Sequence, residues 1–210
     1  MKNIEIFRKH LDMISVGSVK EFTEFALSNV PDYFWTINAS ASGSSHGGET
    51  LVEHIQGCLF LAEIVIRQFK GHWTERQNCQ LLSALLLHDG WKCGFPGKEE
   101  RYTKEDIKIK GMSDNYIGKL KSSKEHPEIA YQQVFRLASK FNLNARKNGK
   151  KQIGAKNLQP ILNSIRYHYG PWTVSKLDKP FCLSWPFDTV VMQVHNIDFM
   201  QTHNAVYFGE

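Results

Sequence analysis

Leu81-Leu82-Ser83-Ala84-Leu85-Leu86-Leu87-His88-Asp89 is the stretch on which the reading turns. Six of its first seven residues are apolar and none is charged. A helix that is apolar all round belongs in a core. This one finishes on an imidazole beside a carboxylate. Buried charge is costly unless it is paired or bound to metal. The doublet is therefore a candidate metal site, provided other parts of the chain supply partners.

Outward from that run the pattern is nearly all helix, which predicts an all-α fold. Apolar spacing predicts short amphipathic helices over 2–13 and 18–29, the second closed by Pro31. A loop rich in small residues, 38–48, carries His46. Thr50 with Glu53 forms a capping box and starts a helix reaching about Phe69. His54 lies in its first turn, on one stripe with Cys58, Leu61 and Val65. The apolar run itself belongs to a helix over about 75–88, stopped by Asp89-Gly90. Residues 94–125 are polar and of mixed charge, and are expected to form an irregular excursion or lid with a short helix at 103–110. Pro127 suits a first helical position, with His126 as its cap and the helix reaching about Phe141. Further helices are expected over about 158–169 and 188–205.

Composition places limits on the class. The chain has 210 residues, 41% of them hydrophobic and 22% charged, as in an ordinary globular domain. No run reaches the ~18 apolar residues that span a bilayer, and the N-terminus lacks the apolar stretch of a secretory signal. A cytoplasmic protein with no membrane partner is expected. Cys58, Cys79, Cys93 and Cys182 form no CxxC pair and read as buried reduced thiols. The net charge is +5, and from Ile129 to Leu177 there is no acidic residue. That stretch is either a solvated basic surface or one that faces an anion. With no nucleic-acid-binding module in the chain, a long nucleic acid has no specific support as partner.

His54, His88, Asp89, His126, His168, His195 and Asp198 all sit at expected helix ends or on apolar stripes. Alone, each could be a hydrogen-bonded core residue. Together they offer imidazole nitrogen and carboxylate oxygen, a set that suits manganese, iron, cobalt, nickel or zinc and argues against a thiolate site. His10, His72 and His203 lack such context and read as surface residues.

The ordered set Glu53-His54, His88-Asp89, His126-Pro127-Glu128, His168-Tyr169-Gly170 and Ile197-Asp198-Phe199 resembles the HD-domain superfamily of metal-dependent phosphohydrolases. The likeness covers about residues 46 to 205, after an N-terminal helical extension over 1–37, within a single domain. In motif it is closest to HD-type phosphodiesterases and 3′-to-5′ exoribonucleases. His46-Gly47-Gly48-Glu49-Thr50-Leu51-Val52-Glu53-His54 resembles their "HH…GGLLEH" segment, with a single His and with Glu-Thr following the glycines. His88-Asp89-Gly90-Trp91-Lys92 resembles "HDxxK", without the GYP signature of the cyclic-dinucleotide subgroup. Val194-His195-Asn196-Ile197-Asp198 resembles "VHLAD".

The resemblance implies a helical bundle with two divalent transition metals in its core. One would be held by His54, His88, Asp89 and Asp198. Asp89 would bridge to a second, held by His126 and His168. It further implies an anionic small-molecule or oligonucleotide substrate, hydrolysed at a phosphate ester by hydroxide that the metals make available near neutral pH. Asp89 and Lys92 would be catalytic, with Lys92 also contacting phosphate. His46, Arg166 and His195 would line the substrate site. Two other readings stay open: a di-iron oxygenase built on the same ligand pattern, and a non-catalytic nucleotide-binding module.

Overall fold

Side-chain caps decide where two of the helices begin. The computed structural model describes residues 3–39, 49–94, 97, 126–170 and 188–204. His46, the helix expected at 103–110 and nearly all of the excursion over 94–125 lie outside the described residues. A 3-10 turn, Ile4–Phe7, leads into α1 (Arg8–Asp12), so the helix expected over 2–13 is divided. Tightening of this kind is common at helix N-termini. Helix α2 (Gly17–Ser28) buries Val19, Phe22, Thr23, Ala26 and Leu27 on one face. A second 3-10 turn, Asp32–Trp35, follows Pro31.

Helix α3 (Leu51–Gln68) starts at the expected capping box. The Thr50 amide donates to Glu53 Oε2 at 2.7 Å, and the Glu53 amide donates back to Thr50 Oγ1 at 3.2 Å. An isolated antiparallel bridge, Asn38 with Thr50, fixes the entry to this helix. Helix α4 (Glu75–Leu87) starts on a second capping box, formed by Thr74 and Gln77. Every residue from Cys79 to Leu87 is buried. Ser83 is tolerated there because it hydrogen-bonds Thr23 of α2 at 2.7 Å.

The chain leaves α4 differently from the expected glycine stop. Gly90 has no positive φ; the first positive φ after the helix is at Gly94, at 105°. Tight turns carry the chain there, with the Gly90 amide on Leu87 O and the Lys92 amide on Asp89 O, both at 3.1 Å. Gly90 serves close packing instead: a Cβ there would lie 3.2 Å from the Leu87 carbonyl oxygen and 3.4 Å from Val30 Cγ1.

Helix α5 (His126–Lys147) contains His126 rather than being capped by it, and runs six residues past Phe141. Phe141 packs on Phe22 and Phe25 with ring centroids 5.7 Å apart, which favours continuation through that point. The stop comes at Gly149, at φ 64°. There the Gly149 amide bonds Arg146 O and the Lys150 amide bonds Ala145 O, the paired bonds of a Schellman end.

Helix α6 (Ala155–Arg166) begins three residues before the expected Leu158 and ends three before Tyr169. Its cap is Gly154, which has no side chain to signal a start. Pro160 lies inside it and cannot donate to the Lys156 carbonyl. Gln80 of α4 supplies that bond, Nε2 to Lys156 O at 2.9 Å. Helix α7 (Thr189–Asn204) completes the described chain.

Helix α4 is the axis of the bundle and packs on α2, α3, α6 and α7, while α5 closes against α2 and α6. One hydrophobic cluster runs from Phe7 through α4 to Ile197, so the N-terminal helices share the core of the rest. Among the described residues there is no strand, and no helix is long and apolar enough to cross a membrane. His72 and His203 are exposed as expected. His10 is not a free surface residue: its side chain is 12% exposed and Nε2 lies 2.8 Å from Glu63 Oε1.

Candidate metal centre

The C-terminal end of α4 is where the helices deliver their polar side chains. His54 comes from the first turn of α3, His88 and Asp89 from the end of α4, and His126 from the start of α5. His168 follows the end of α6, and Asp198 lies on α7. All six are buried. Their donor atoms, with Cys58 Sγ, form two groups: His54, Cys58, His88 and Asp198, and then Asp89, His126 and His168. Within each group the atoms lie within 4.8 Å of one another.

In the first group His54 Nε2 is 3.1 Å from Asp198 Oδ1 and 3.7 Å from Cys58 Sγ. His88 Nε2 is 3.6 Å from Asp198 Oδ1 and 3.7 Å from Asp89 Oδ2. In the second group His126 Nε2 is 2.8 Å from Asp89 Oδ1 and 3.1 Å from His168 Nε2. His168 Nε2 is 3.6 Å from the same Asp89 oxygen. Asp89 thus turns one oxygen towards each group.

The backbone orients two of these rings. His88 Nδ1 donates to Leu85 O at 2.8 Å, and His168 Nδ1 donates to Ile165 O at 2.7 Å. In its neutral form each ring is then the tautomer whose Nε2 carries a lone pair into the centre, as in metal-binding histidines. His88 Nε2 is fully buried without a hydrogen bond, and Asp89 Oδ1, equally buried, has only the His126 ring nitrogen at 2.8 Å beside it. Orphaned polar atoms in a core are rare and costly. One such nitrogen facing a cluster of donors fits a site built for a cation.

The electrostatics point the same way. Burial alone would raise the Asp89 carboxyl, but the Lys92 ammonium and then His88 and His126 hold it well below the usual carboxylate range. Asp198 is likewise kept low against burial by His54 and His88. Burial works against charge on His88, yet Asp89 and Asp198 outweigh it and raise its pKa, so a cation at Nε2 would have to displace a proton that these carboxylates favour. In His54 burial wins over Asp198 and the pKa falls. Burial, reinforced by His88, takes His168 down to about 3, so its ring stays neutral and able to ligate. Burial first, with Asp198 adding to it, pushes the Cys58 thiol well above its ordinary value. Two buried carboxylates held below their ordinary pKa thus stand together at the centre. Such a pair attracts divalent cations.

The remaining site residues fall around this centre. Lys92 is buried, and its Nζ sits 2.5 Å from Asp89 Oδ2. His195 donates from Nδ1 to the His168 carbonyl at 2.8 Å. Its ring lies over Gly170, where a Cβ would come within 2.6 Å. With His168, Tyr169, Asp198 and Phe199 it lines a cavity of about 470 Å³ beside the centre. Arg166 is held in place by its neighbours: Nε bonds Glu128 Oε2 at 2.7 Å, and the guanidinium lies over Tyr131 and Tyr167. Glu128 is two residues after His126, and Arg166 two before His168. Their ion pair clasps together the segments that carry the second group. Of the acid-free stretch, Arg136, Lys140, Arg146, Lys147, Lys150 and Lys151 are exposed along α5 and the turn after it.

Two participants escape a reading of the sequence. Cys58, one turn after His54, looks like any buried thiol on an apolar stripe. Its one available signal is the four-residue spacing, which puts it on the face that His54 uses. Glu49 lies behind His54, with Oε2 4.0 Å from Nδ1, and is steadied by Gln201 Nε2 at 3.1 Å. Comparison with protein-family models, with curated proteins and with solved structures found no match for this chain. Fold and site together define an all-α bundle with two adjoining buried groups of metal-capable side chains.

Proposed function

We propose that this chain is a metal-dependent phosphohydrolase of the HD type, acting on a phosphate ester of a nucleotide, cyclic nucleotide or short oligonucleotide. The observation that carries the reading is the position of Asp89 between the two donor groups, one oxygen towards each. The motif order that resembles the HD superfamily supports it. His54, His88, Asp198 and Asp89 would hold one ion, and Asp89, His126 and His168 a second. Bound there, divalent cations would supply an attacking hydroxide near neutral pH and neutralise phosphoryl charge.

The chain's own groups have separable tasks. The His88 and His168 tautomers are set by carbonyls of the residues three positions before them, so donors need no rearrangement. Asp89 keeps its charge through Lys92. Lys92, whose pKa is raised against burial by Asp89, would face non-bridging oxygens as negative charge develops on them. His195, held by the His168 carbonyl and Gly170, would contact the substrate from the cavity wall. A cavity of about 470 Å³ lies in the range of small-molecule sites.

Metal analysis of the purified chain, with a hydrolysis screen of bis(p-nitrophenyl) phosphate and a nucleotide panel, tests the proposal. Turnover with manganese or another divalent ion is expected. Absence of hydrolysis across all metals, or dioxygen uptake by iron-loaded protein without hydrolysis, would overturn it.

A further inference from the structure

We propose that Cys58 is itself a metal ligand, taking with His54, His88 and Asp198 the four places of a closed first site, so that Asp89 is left to the second group, which remains open. This rests on the reading that the centre holds metal, and adds a sulfur that the HD pattern does not assign. The argument is one of edges. Donors placed tetrahedrally at ordinary zinc-type bond lengths are separated by ~3.3 Å between nitrogen and oxygen, and by ~3.6 Å between nitrogen and sulfur. Here the edges are 3.1 Å for His54 with Asp198, 3.6 Å for His88 with Asp198, and 3.7 Å for His54 with Cys58. Donors at right angles, as around an octahedral ion, would draw the nitrogen–sulfur edge in to about 3.1 Å.

A simple thiol–imidazole hydrogen bond would involve only His54. Cys58 Sγ also lies within 4.8 Å of the His88 and Asp198 donors. His88 Nε2, fully buried and without a hydrogen bond, faces the same group. Cys58 is 0% exposed, one helical turn along the face of α3 that presents His54. On binding, the thiol would lose its proton to solvent as the metal–sulfur bond forms. Four protein donors make a closed site; the three of Asp89, His126 and His168 leave a position for water or substrate. The two ends of the centre would then differ in metal preference, with sulfur favouring zinc or cobalt over manganese at the first.

Cobalt(II) reports the ligand directly. Protein loaded with cobalt should show a near-ultraviolet sulfur-to-cobalt charge-transfer band that is absent from Cys58→Ser carrying comparable cobalt. X-ray absorption of zinc-loaded wild-type protein should give a sulfur scatterer at ~2.3 Å, which requires no variant to fold. Losing even a group that supports a ligand weakens metal binding ~10–100-fold, so Cys58→Ser should weaken zinc binding at least tenfold. Cobalt bound without the band, or zinc bound without a sulfur scatterer, overturns the assignment of Cys58 and leaves the metal centre standing. Failure of wild-type protein to bind either metal overturns both.

Discussion

Asp89 supplies one of the centre's two buried carboxylates. It offsets the buried Lys92 and stands between the donor groups. Asp89→Asn should reduce bound metal and hydrolysis by at least two orders of magnitude. It should also destabilise the fold by about 3 kcal/mol, because Lys92 is left as an unpaired buried charge. Asp89→Asn combined with Lys92→Met should recover much of that stability in urea unfolding without recovering metal. Recovery of metal binding by the double variant would contradict the role given to Asp89. At the far end of α3, Glu63 is a second such residue, held by Lys9 at 2.5 Å, His10 at 2.8 Å and Arg67 at 3.1 Å. Its hydrogen bond from Lys9 lowers its pKa below the ordinary 4.5. A lowered carboxylate stabilises the fold above that ordinary value and loses its contribution as pH falls. Glu63→Gln should cost about 1 kcal/mol near neutrality, since Lys9 and Arg67 are solvated. The gap to wild type should close below about pH 4.5; a gap that is constant with pH would disprove the linkage. Single residues were legible where chemistry is rare, as with a His-Asp pair at the end of an apolar run. Cys58 was not, because a cysteine on a buried stripe has the same pattern whether it packs or ligates.

At the level of the helix, starts were more legible than stops. Thr50 with Glu53 declares a start through side chains three residues apart. Gly154 declares nothing, and the stop at Gly149 depends on a backbone conformation rather than on a change in periodicity. The bond from Gln80 to the Lys156 carbonyl spans 76 positions and has no local trace. It explains how Pro160 is accommodated, and that is testable. Gln80→Leu should cost about 1 kcal/mol, the usual worth of such a bond. With Pro160→Ala, the restored helical amide can serve the carbonyl, so the Gln80→Leu penalty should shrink. A double-mutant cycle with no coupling energy would remove this account. The Arg166–Glu128 clasp makes a parallel case for α5 and α6. Glu128→Gln should leave helical content unchanged and weaken binding at the second donor group roughly tenfold, the lower range for groups that support ligands. Equal loss at both groups, read by metal titration, would mean the clasp is only structural.

In the whole molecule, α4 is buried from Cys79 onward, and its end gathers donors from five segments: α3, its own terminus, α5, the turn after α6, and α7. The class of the fold follows from the apolar run and was legible early. The convergence was legible only as a list of residues, since periodicity assigns faces but not the distances between helices. That convergence sets the last expectation. The hydrophobic cluster is continuous without the centre, so removing metal with a chelator should leave the helical circular-dichroism signal nearly intact, unlike a zinc finger, which unfolds. The centre brings two ionised carboxylates together, and a cation that ties the five segments binds only the folded chain. Metal at one hundred times its dissociation constant would add about 2.7 kcal/mol per site. For a chain of this length that is a rise in Tm of roughly 5–10 °C. The rise should grow with metal concentration and be reversed by chelation, and Asp89→Asn should abolish most of it. A Tm that ignores divalent ions would show that these buried side chains satisfy one another without a metal.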